Sequence, residues 1–405
     1  MEKTLGVLMT NIHKTEVSPS RIGNELDQLR RDSLRSSNEK GNPTQPAVRA
    51  TLSNMILIAP CPQDAAKEDY VSICIEDLAK THPSRFFIIT INDALATRLK
   101  TTVASRDVSG NSDLKIQTEE IHIEVHPESI QLVKNLVLAQ LIPDIETIAI
   151  ELFRSKDHPY REKLVEVLHD MLDTLISYSP FNPLKEGIIS SPAEGETRMG
   201  KSVAYRNLCW PMTSKWRALI SEQFDTDQAL HALSRVKNIT ITYSDTSSNK
   251  EIPGEALLLA SWILSSLEIS VTSRIRTENS QTLLACHGKD KNTRASLIFA
   301  PTNLEGLSYI SEVTIEMEDS ETSSFQTNCT YLPALHAIEV TSGGKGDAKV
   351  SESNIGDTCE FYLRRCAVGH YSISQAALEL IRGDTPLDIY DAFVQLRNFC
   401  NHEPE

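Results

Sequence analysis

Four groups of side chains have the types and spacing to do chemistry. The segment from Gly195 to Ser202 reads Gly-Glu-Thr-Arg-Met-Gly-Lys-Ser, which satisfies the GxxxxGK[ST] pattern. In that pattern backbone N–H groups cradle phosphates, the lysine reaches the outer phosphates and the hydroxyl takes magnesium. The physics requires a buried strand feeding the loop and a helix leaving it. A helix can begin near Val203. Upstream, only Ile188 and Ile189 are apolar, and Ser190, Ser191 and Pro192 separate them from the loop. The best partner carboxylate is Asp245, after the apolar run 238–243. A flexible linker is the better reading. A nucleotide-binding enzyme built on Gly195, Gly200, Lys201 and Ser202 is the alternative.

His122, Glu124 and His126 recur with period two, so they share one face of a strand. Two imidazoles and a carboxylate can ligate zinc. The opposite face is Ile121, Ile123 and Val125, so the trio reads as the polar side of a half-buried strand, and no metal is expected. His82-Pro83-Ser84-Arg85 lies between a helical pattern and an apolar run. Its serine and arginine could take a phosphate or carboxylate, or simply close a tight turn. Trp210, Trp216 and Arg217 combine the residue types enriched where interfaces concentrate binding energy. Core packing is the competing role. No GxSxG, HExxH or GxGxxG sequence occurs.

The elements that would position these groups can be read from periodicity. Apolar or alternating runs at 52–59, 85–91, 114–125, 145–153 and 174–178 read as strands. Helical stripes at 64–80, 127–140 and 161–172 lie between them. Residues 17–40 read as a solvated amphipathic helix and 100–113 as polar loop. Strands alternating with helices argue a mainly parallel sheet covered on both faces. Past a linker rich in Pro, Gly and Ser, helices are expected at 203–223, 226–235 and 253–268, with a strand at 238–243. From 269 to 365 the period changes to two, which reads as an antiparallel sheet. Helices at 373–382 and 386–400 close the chain. The expected fold is α/β: an N-terminal α/β domain with a mainly parallel sheet and a C-terminal α+β domain with an antiparallel sheet. The divisions are 1–46 (helix and linker), 47–180, 181–202 (linker) and 203–405.

The chain has 405 residues, ample for two cores. Forty Lys and Arg against 55 Asp and Glu leave a formal charge of −15, which disfavours a nucleic-acid backbone or an anionic membrane as partner. No apolar run reaches the ~18 residues of a membrane helix, and the N-terminus lacks a secretory pattern. A cytoplasmic location is expected. The eight cysteines form no CxxC pair and read as small buried apolar residues.

Four blocks, in order, resemble the OpcA family, the glucose-6-phosphate dehydrogenase assembly proteins. Residues 48–59 (VRATLSNMILIA) are similar to that family's first strand, with an Asn before the apolar run. Thr81 to Arg85 is similar to its His-Pro-Ser-Arg turn. Asn207-Leu-Cys-Trp210 followed by Trp216-Arg217 resembles its Asp-Leu-x-Trp then Trp-Arg block. Residues 256–267 resemble its Leu-rich helix with a Trp. The sequence departs from the pattern at Asn207, where Asp is usual, and at Met212, where Arg is common. Ser261 and Ser266 stand in place of Gly and Arg. The resemblance implies a non-catalytic protein without cofactor, whose partner is glucose-6-phosphate dehydrogenase of the oxidative pentose phosphate pathway. It would act by assembly or allosteric activation. Partner contacts are expected at His82, Ser84, Arg85, Trp210, Trp216 and Arg217. In photosynthetic relatives the effect is linked to thiol redox state; no cysteine is assigned that role here.

Overall fold

Ser53, Asn54, Met55, Ile56, Leu57, Ile58 and Ala59 are all buried, the pattern of a strand covered on both faces. The computed structural model describes residues 13–39, 51–59, 65–109, 115–152, 160–177, 203–225, 227–244, 252–276, 281–288, 294–302, 310–319, 323–332, 337–345, 362–367, 373–382, 396 and 400. The chain divides into two units, Met1–Leu208 with Ser372–Gly383, and Cys209–Tyr371 with Asp384–Glu405.

The first unit runs β1 (His13–Glu16), α1 (Ile22–Glu39), β2 (Ser53–Ala59), α2 (Ala65–Thr81), β3 (Ser84–Ile91), β4 (Leu99–Ser109), β5 (Lys115–Val125), α3 (Gln131–Leu138), β6 (Glu146–Glu151), α4 (Arg161–Leu168), β7 (Thr174–Ser177) and β8 (Ala204–Asn207). The sheet order is β1-β4-β5-β3-β2-β6-β7-β8. From β5 through β8 every pairing is parallel, while β4 and β1 add antiparallel strands at one edge. The six parallel strands therefore stand in the order 3-2-1-4-5-6, that of the doubly wound dinucleotide-binding sheet. The order reverses between β2 and β6.

Helices α1, α3 and α4 bring Ile22, Leu26, Val133, Val137, Leu164 and Leu168 to one core, against Ile56, Ile58, Phe87, Ile89, Ile121 and Ile123. Alternate strand residues Met55, Leu57, Phe86 and Ile88 point the other way and are equally buried. On that side α2 touches β4 and β5. Here Glu120, with 0% of its surface exposed, accepts from Arg106 Nε at 2.5 Å and contacts His122 Nε2 at 2.9 Å. Arg106 also donates to Ser72 Oγ of α2 at 2.9 Å.

The second unit runs α5 (Cys209–Met212), α6 (Ser214–Glu222), α7 (Asp227–Leu233), β9 (Val236–Ser244), α8 (Gly254–Ser266), β10 (Ile269–Arg276), β11 (Thr282–Gly288), β12 (Arg294–Thr302), β13 (Ile310–Asp319), β14 (Ser323–Leu332), β15 (Ala337–Lys345) and β16 (Tyr362–Ala367). Its sheet order is β10-β11-β12-β9-β13-β14-β15-β16, antiparallel except where β12 meets β9. Ile239, Ile241, Leu297, Phe299, Val313 and Ile315 fill its buried face. Helix α9 (Ile373–Arg382) belongs to the first unit and packs on α2.

The α/β class, with one mainly parallel and one mainly antiparallel sheet, is the fold expected from periodicity. Four local readings change. Residues 100–113 include strand β4 rather than loop only; its inward positions include Thr101 and Arg106, so polarity hid the pattern. Helix α1 is anchored by fully buried Ile22 and Leu26 rather than solvated. The polar side of β5 lies partly under α2, because Arg106 and His122 compensate Glu120 there. The helix expected over 203–223 is strand β8 followed by α5 and α6, and the chain turns at Leu208, whose N–H donates to Ser177 O at 3.0 Å. Of residues 386–400 only Leu396 and Cys400 are described, both helical, and the linker expected at 181–202 lies outside the described residues.

Burial alone pushes the Glu120 carboxyl up, but the hydrogen bonds and charges of His122 and Arg106 outweigh it and hold the group at about 2, below its ordinary 4.5. A depressed carboxylate contributes stability that is complete above the unfolded value and fades as pH falls through the folded one. Urea unfolding from pH 7 down to 2 should show a loss concentrated between about 4.5 and 2, worth roughly 3 kcal/mol for this group. Glu120→Gln should be less stable at neutral pH and lose that part of the acid dependence.

Candidate functional site

In an open doubly wound sheet, ligands bind outside the carboxyl ends of the strands where the order reverses. Here that place is the end of β2 beside β6. A dinucleotide fold needs glycines in the turn after its first strand, so that backbone N–H groups approach the pyrophosphate. The sequence after β2 is Pro60-Cys61-Pro62-Gln63-Asp64, without a glycine; its structure lies outside the described residues. At the neighbouring strand ends, Ser177 Oγ donates to Glu151, both fully buried. Leu152 N–H donates to Ile58 O at 2.9 Å.

The His82–Arg85 turn lies at the opposite, amino end of the parallel strands. His82 Nε2 is 3.1 Å from Ser53 Oγ, Ser53 and Ser84 hydroxyls are 2.9 Å apart, and Ser84 Oγ donates back to His82 O. Arg85 donates through Nε and Nη2 to Glu119 Oε2 at 3.0 and 2.8 Å, and through Nη1 to Gln140 O at 2.6 Å. Arg30 of α1 reaches the other Glu119 oxygen at 2.5 Å. Beside them Asn54 bridges Ile142, donating to its carbonyl and accepting from its N–H, both at 2.9 Å. Ser84 is 2% exposed. The turn thus spends its polar groups inward, on β2, on β5 and on the loop before β6.

Trp210, Trp216 and Arg217 lie in the second unit. The Arg217 guanidinium stacks on the Trp210 ring, 3.5 Å from its centroid, and Nη1 donates to Trp210 O at 2.6 Å. The five-donor plane makes this pairing possible. Thr213 Oγ1 donates to the same carbonyl at 2.9 Å. Trp216, only 4% exposed, is core; Trp210 and Arg217 remain half-buried. The unit boundary falls between the two candidate groups: His82, Ser84 and Arg85 in one unit, the tryptophan–arginine block in the other.

Gly195, Gly200, Lys201 and Ser202 lie outside the described residues. The next element in the chain is strand β8, not the helix that a phosphate loop must enter. His122 contacts Glu120, Asn92 Nδ2 donates to Glu124, and His126 caps the turn that opens at Pro127, so the strand trio is divided among three partners. Among the described residues no cluster of three His, Cys, Asp or Glu could hold a metal ion. Cys74, Cys209, Cys286, Cys329 and Cys400 are buried free thiols. Burial pushes Cys286 up to about 11 and Cys329 and Cys400 to about 12, which suppresses the reactive thiolate. Among the described residues no helix is long and apolar enough to cross a membrane.

Sequence reasoning passed over Glu119 and Glu120. Two adjacent glutamates within a strand do carry a signal: where both faces are covered, each must meet a cation, on opposite faces.

Fold and site together define a two-unit α/β protein, with a dinucleotide-type sheet order in one unit and a large antiparallel sheet in the other. Residues 203–328 match the OpcA family model that describes the C-terminal domain of a glucose-6-phosphate dehydrogenase subunit. That match agrees with the resemblance that the sequence blocks at 207–217 and 256–267 bear to the OpcA family. A search of curated proteins finds no match. Among solved structures, glucose-6-phosphate 1-dehydrogenase from Mycobacterium avium is similar at 9% identity and a TM-score of 0.48, over 86% of this chain and 91% of that one. Biliverdin reductase from Synechocystis sp. PCC 6803 is similar at 10% identity and a TM-score of 0.38, over 86% and 96%. Likenesses this distant carry no argument about the present chain.

The two candidate groups should respond differently to mutation. Arg85→Met strips a buried carboxylate of one of its two arginines and should cost about 3 kcal/mol in chemical denaturation. Arg217→Ala removes a half-exposed stack and should cost about 1 kcal/mol or less, while shifting tryptophan emission.

Proposed function

We propose that this chain is a non-catalytic partner of glucose-6-phosphate dehydrogenase that promotes the enzyme's assembly or active state, working in the cytosol. The observation that carries this reading is the match of residues 203–328 to the OpcA C-terminal domain. The glycine-free sequence Pro60–Asp64 supports it, because it follows β2 in the chain, where a catalytic dinucleotide fold keeps its phosphate-binding glycines. An acidic chain is a consistent choice for binding a protein rather than a polyanion.

Activation by binding has one thermodynamic requirement. The activator must bind the active or oligomeric form of its partner more tightly than the alternative. A tenfold shift of that equilibrium takes about 1.4 kcal/mol of differential binding. The half-buried Trp210–Arg217 stack is our assigned contact on the second unit, where an amphipathic aromatic and a planar cation can each gain a neighbour. His82, Ser84 and Arg85 serve from within, by fixing the backbone around them.

The test titrates the purified chain into glucose-6-phosphate dehydrogenase of the same cell. We expect a shift of the dehydrogenase oligomer distribution by native mass spectrometry and a change in its KM for glucose 6-phosphate. Trp210→Ala combined with Arg217→Ala should weaken both effects. A dehydrogenase whose oligomers and kinetics ignore the wild-type chain would refute the proposal.

A further inference from the structure

The loop from Gln140 to Ile145 joins α3 to β6 at the amino end of the parallel strands, and it is held by two clamps, one on the buried Asn54 and one on the partly buried Arg85. Arg85 fixes the carbonyl of Gln140, and Asn54 fixes both backbone groups of Ile142. Both side chains belong to blocks that carry the OpcA resemblance, residues 48–59 and the His-Pro-Ser-Arg turn. The loop also holds Asp144 at φ 64°, in the left-handed region that non-glycine residues rarely enter. Opposite the loop, Thr147 and Asp173 exchange hydrogen bonds, Asp173 Oδ2 accepting from Thr147 N–H at 2.8 Å and Asp173 N–H donating to Thr147 O at 2.9 Å. Two pinned walls thus face each other.

Between them lies a groove of about 710 Å³, open along one side. Leu138, Leu141, Ile142, Ile145 and Met171 supply its apolar surface, and Leu138 at the end of α3 is 46% exposed. Asp144 and Glu146 line it and are exposed; Glu146 accepts from Thr174 Oγ1 at 2.7 Å, and neither carboxylate makes an ion pair among the described residues. An enclosed small-molecule site would bury most of its ligand and aim polar groups inward. Here the clamping side chains are committed to backbone, and what is left is an apolar trough with a negative edge. That chemistry fits a protein segment presenting an apolar side chain beside a lysine or arginine.

We infer that this groove is where the first unit receives such a segment of the partner enzyme. The inference rests on the proposed function and deepens it. Asn54 and Arg85 are then positioning residues, which preform the loop wall so that little ordering entropy is lost on docking.

Two exposed substitutions test it without touching the clamps. Leu138→Asp puts a charge on the apolar surface, and Glu146→Lys reverses the rim. Binding to purified glucose-6-phosphate dehydrogenase is measured by biolayer interferometry, with thermal melts as the folding control. Leu138→Asp should weaken binding at least tenfold at any salt. Glu146→Lys should weaken it several-fold at low salt, with the gap closing at high salt. If wild type binds and both folded variants bind equally well, the groove is not the site and the proposed function stands. If wild type fails to bind, the proposed function falls and this inference with it. If wild type self-associates in sedimentation and Leu138→Asp abolishes that, the occupant is a second copy and the assignment is wrong.

Discussion

Two adjacent glutamates in β5 constrain the first unit more than any other feature. Neighbouring residues of a strand point to opposite faces. Glu119 and Glu120 therefore carry one carboxylate into each of the two layers that cover the sheet. Each charge must be compensated where it is buried. Glu119 takes Arg85 from β3 and Arg30 from α1; Glu120 takes Arg106 from β4 and His122 from its own strand, with Arg106 reaching on to Ser72 of α2. One dipeptide thus ties three strands and two helices together. A register slip of one residue would send both carboxylates to the wrong side, away from their cations. The alternative pairings of β4 and β5 are excluded by charge as much as by shape.

This constraint also explains which parts of the molecule were legible from sequence. The runs at 53–59 and 84–91 are apolar on both faces, so their strands could be read directly, as could the leucine-rich α8. Strand β4 could not, because Thr101 and Arg106 occupy inward positions and only their tertiary partners justify them. Strand β8 was hidden for a related reason. Ala204-Tyr-Arg-Asn207 has no apolar alternation beyond Tyr205, and it is a strand because β7 offers it a parallel edge. The residues of the His82–Arg85 turn were visible, but not their direction. A spacing of residue types gives no sign of whether an arginine faces solvent or a glutamate 34 positions away.

The sheet order and the turn after β2 point in different directions, and that disagreement is informative. Strand order is set by hydrophobic burial and by short crossovers, so it survives without a ligand. The phosphate turn is set by a ligand alone: glycines there weaken the chain locally and are useful only if a backbone must approach a pyrophosphate. Prolines at positions 60 and 62 give the opposite property, a fixed φ and a missing donor. The first unit therefore has a dinucleotide-type strand order without glycines in the sequence that follows its first parallel strand. Fold licenses no activity here; sites do.

With no glycine in the sequence after β2, the amino end of the strands becomes the more informative surface. Loops at that end normally serve stability, and the clamps on Gln140 and Ile142 first look like more of the same. Stability alone does not account for the arrangement. A loop needed only to connect α3 to β6 would gain by covering Leu138 and by relaxing Asp144 from its left-handed conformation. Instead two polar side chains, the buried Asn54 and the partly buried Arg85, hold the loop in a shape that leaves apolar surface open beside carboxylates. Strain and exposure are tolerated together where a surface is kept ready for something else. An activator of the kind proposed would gain from that economy, because every side chain already ordered before association leaves more of the contact energy to distinguish one state of the partner from another.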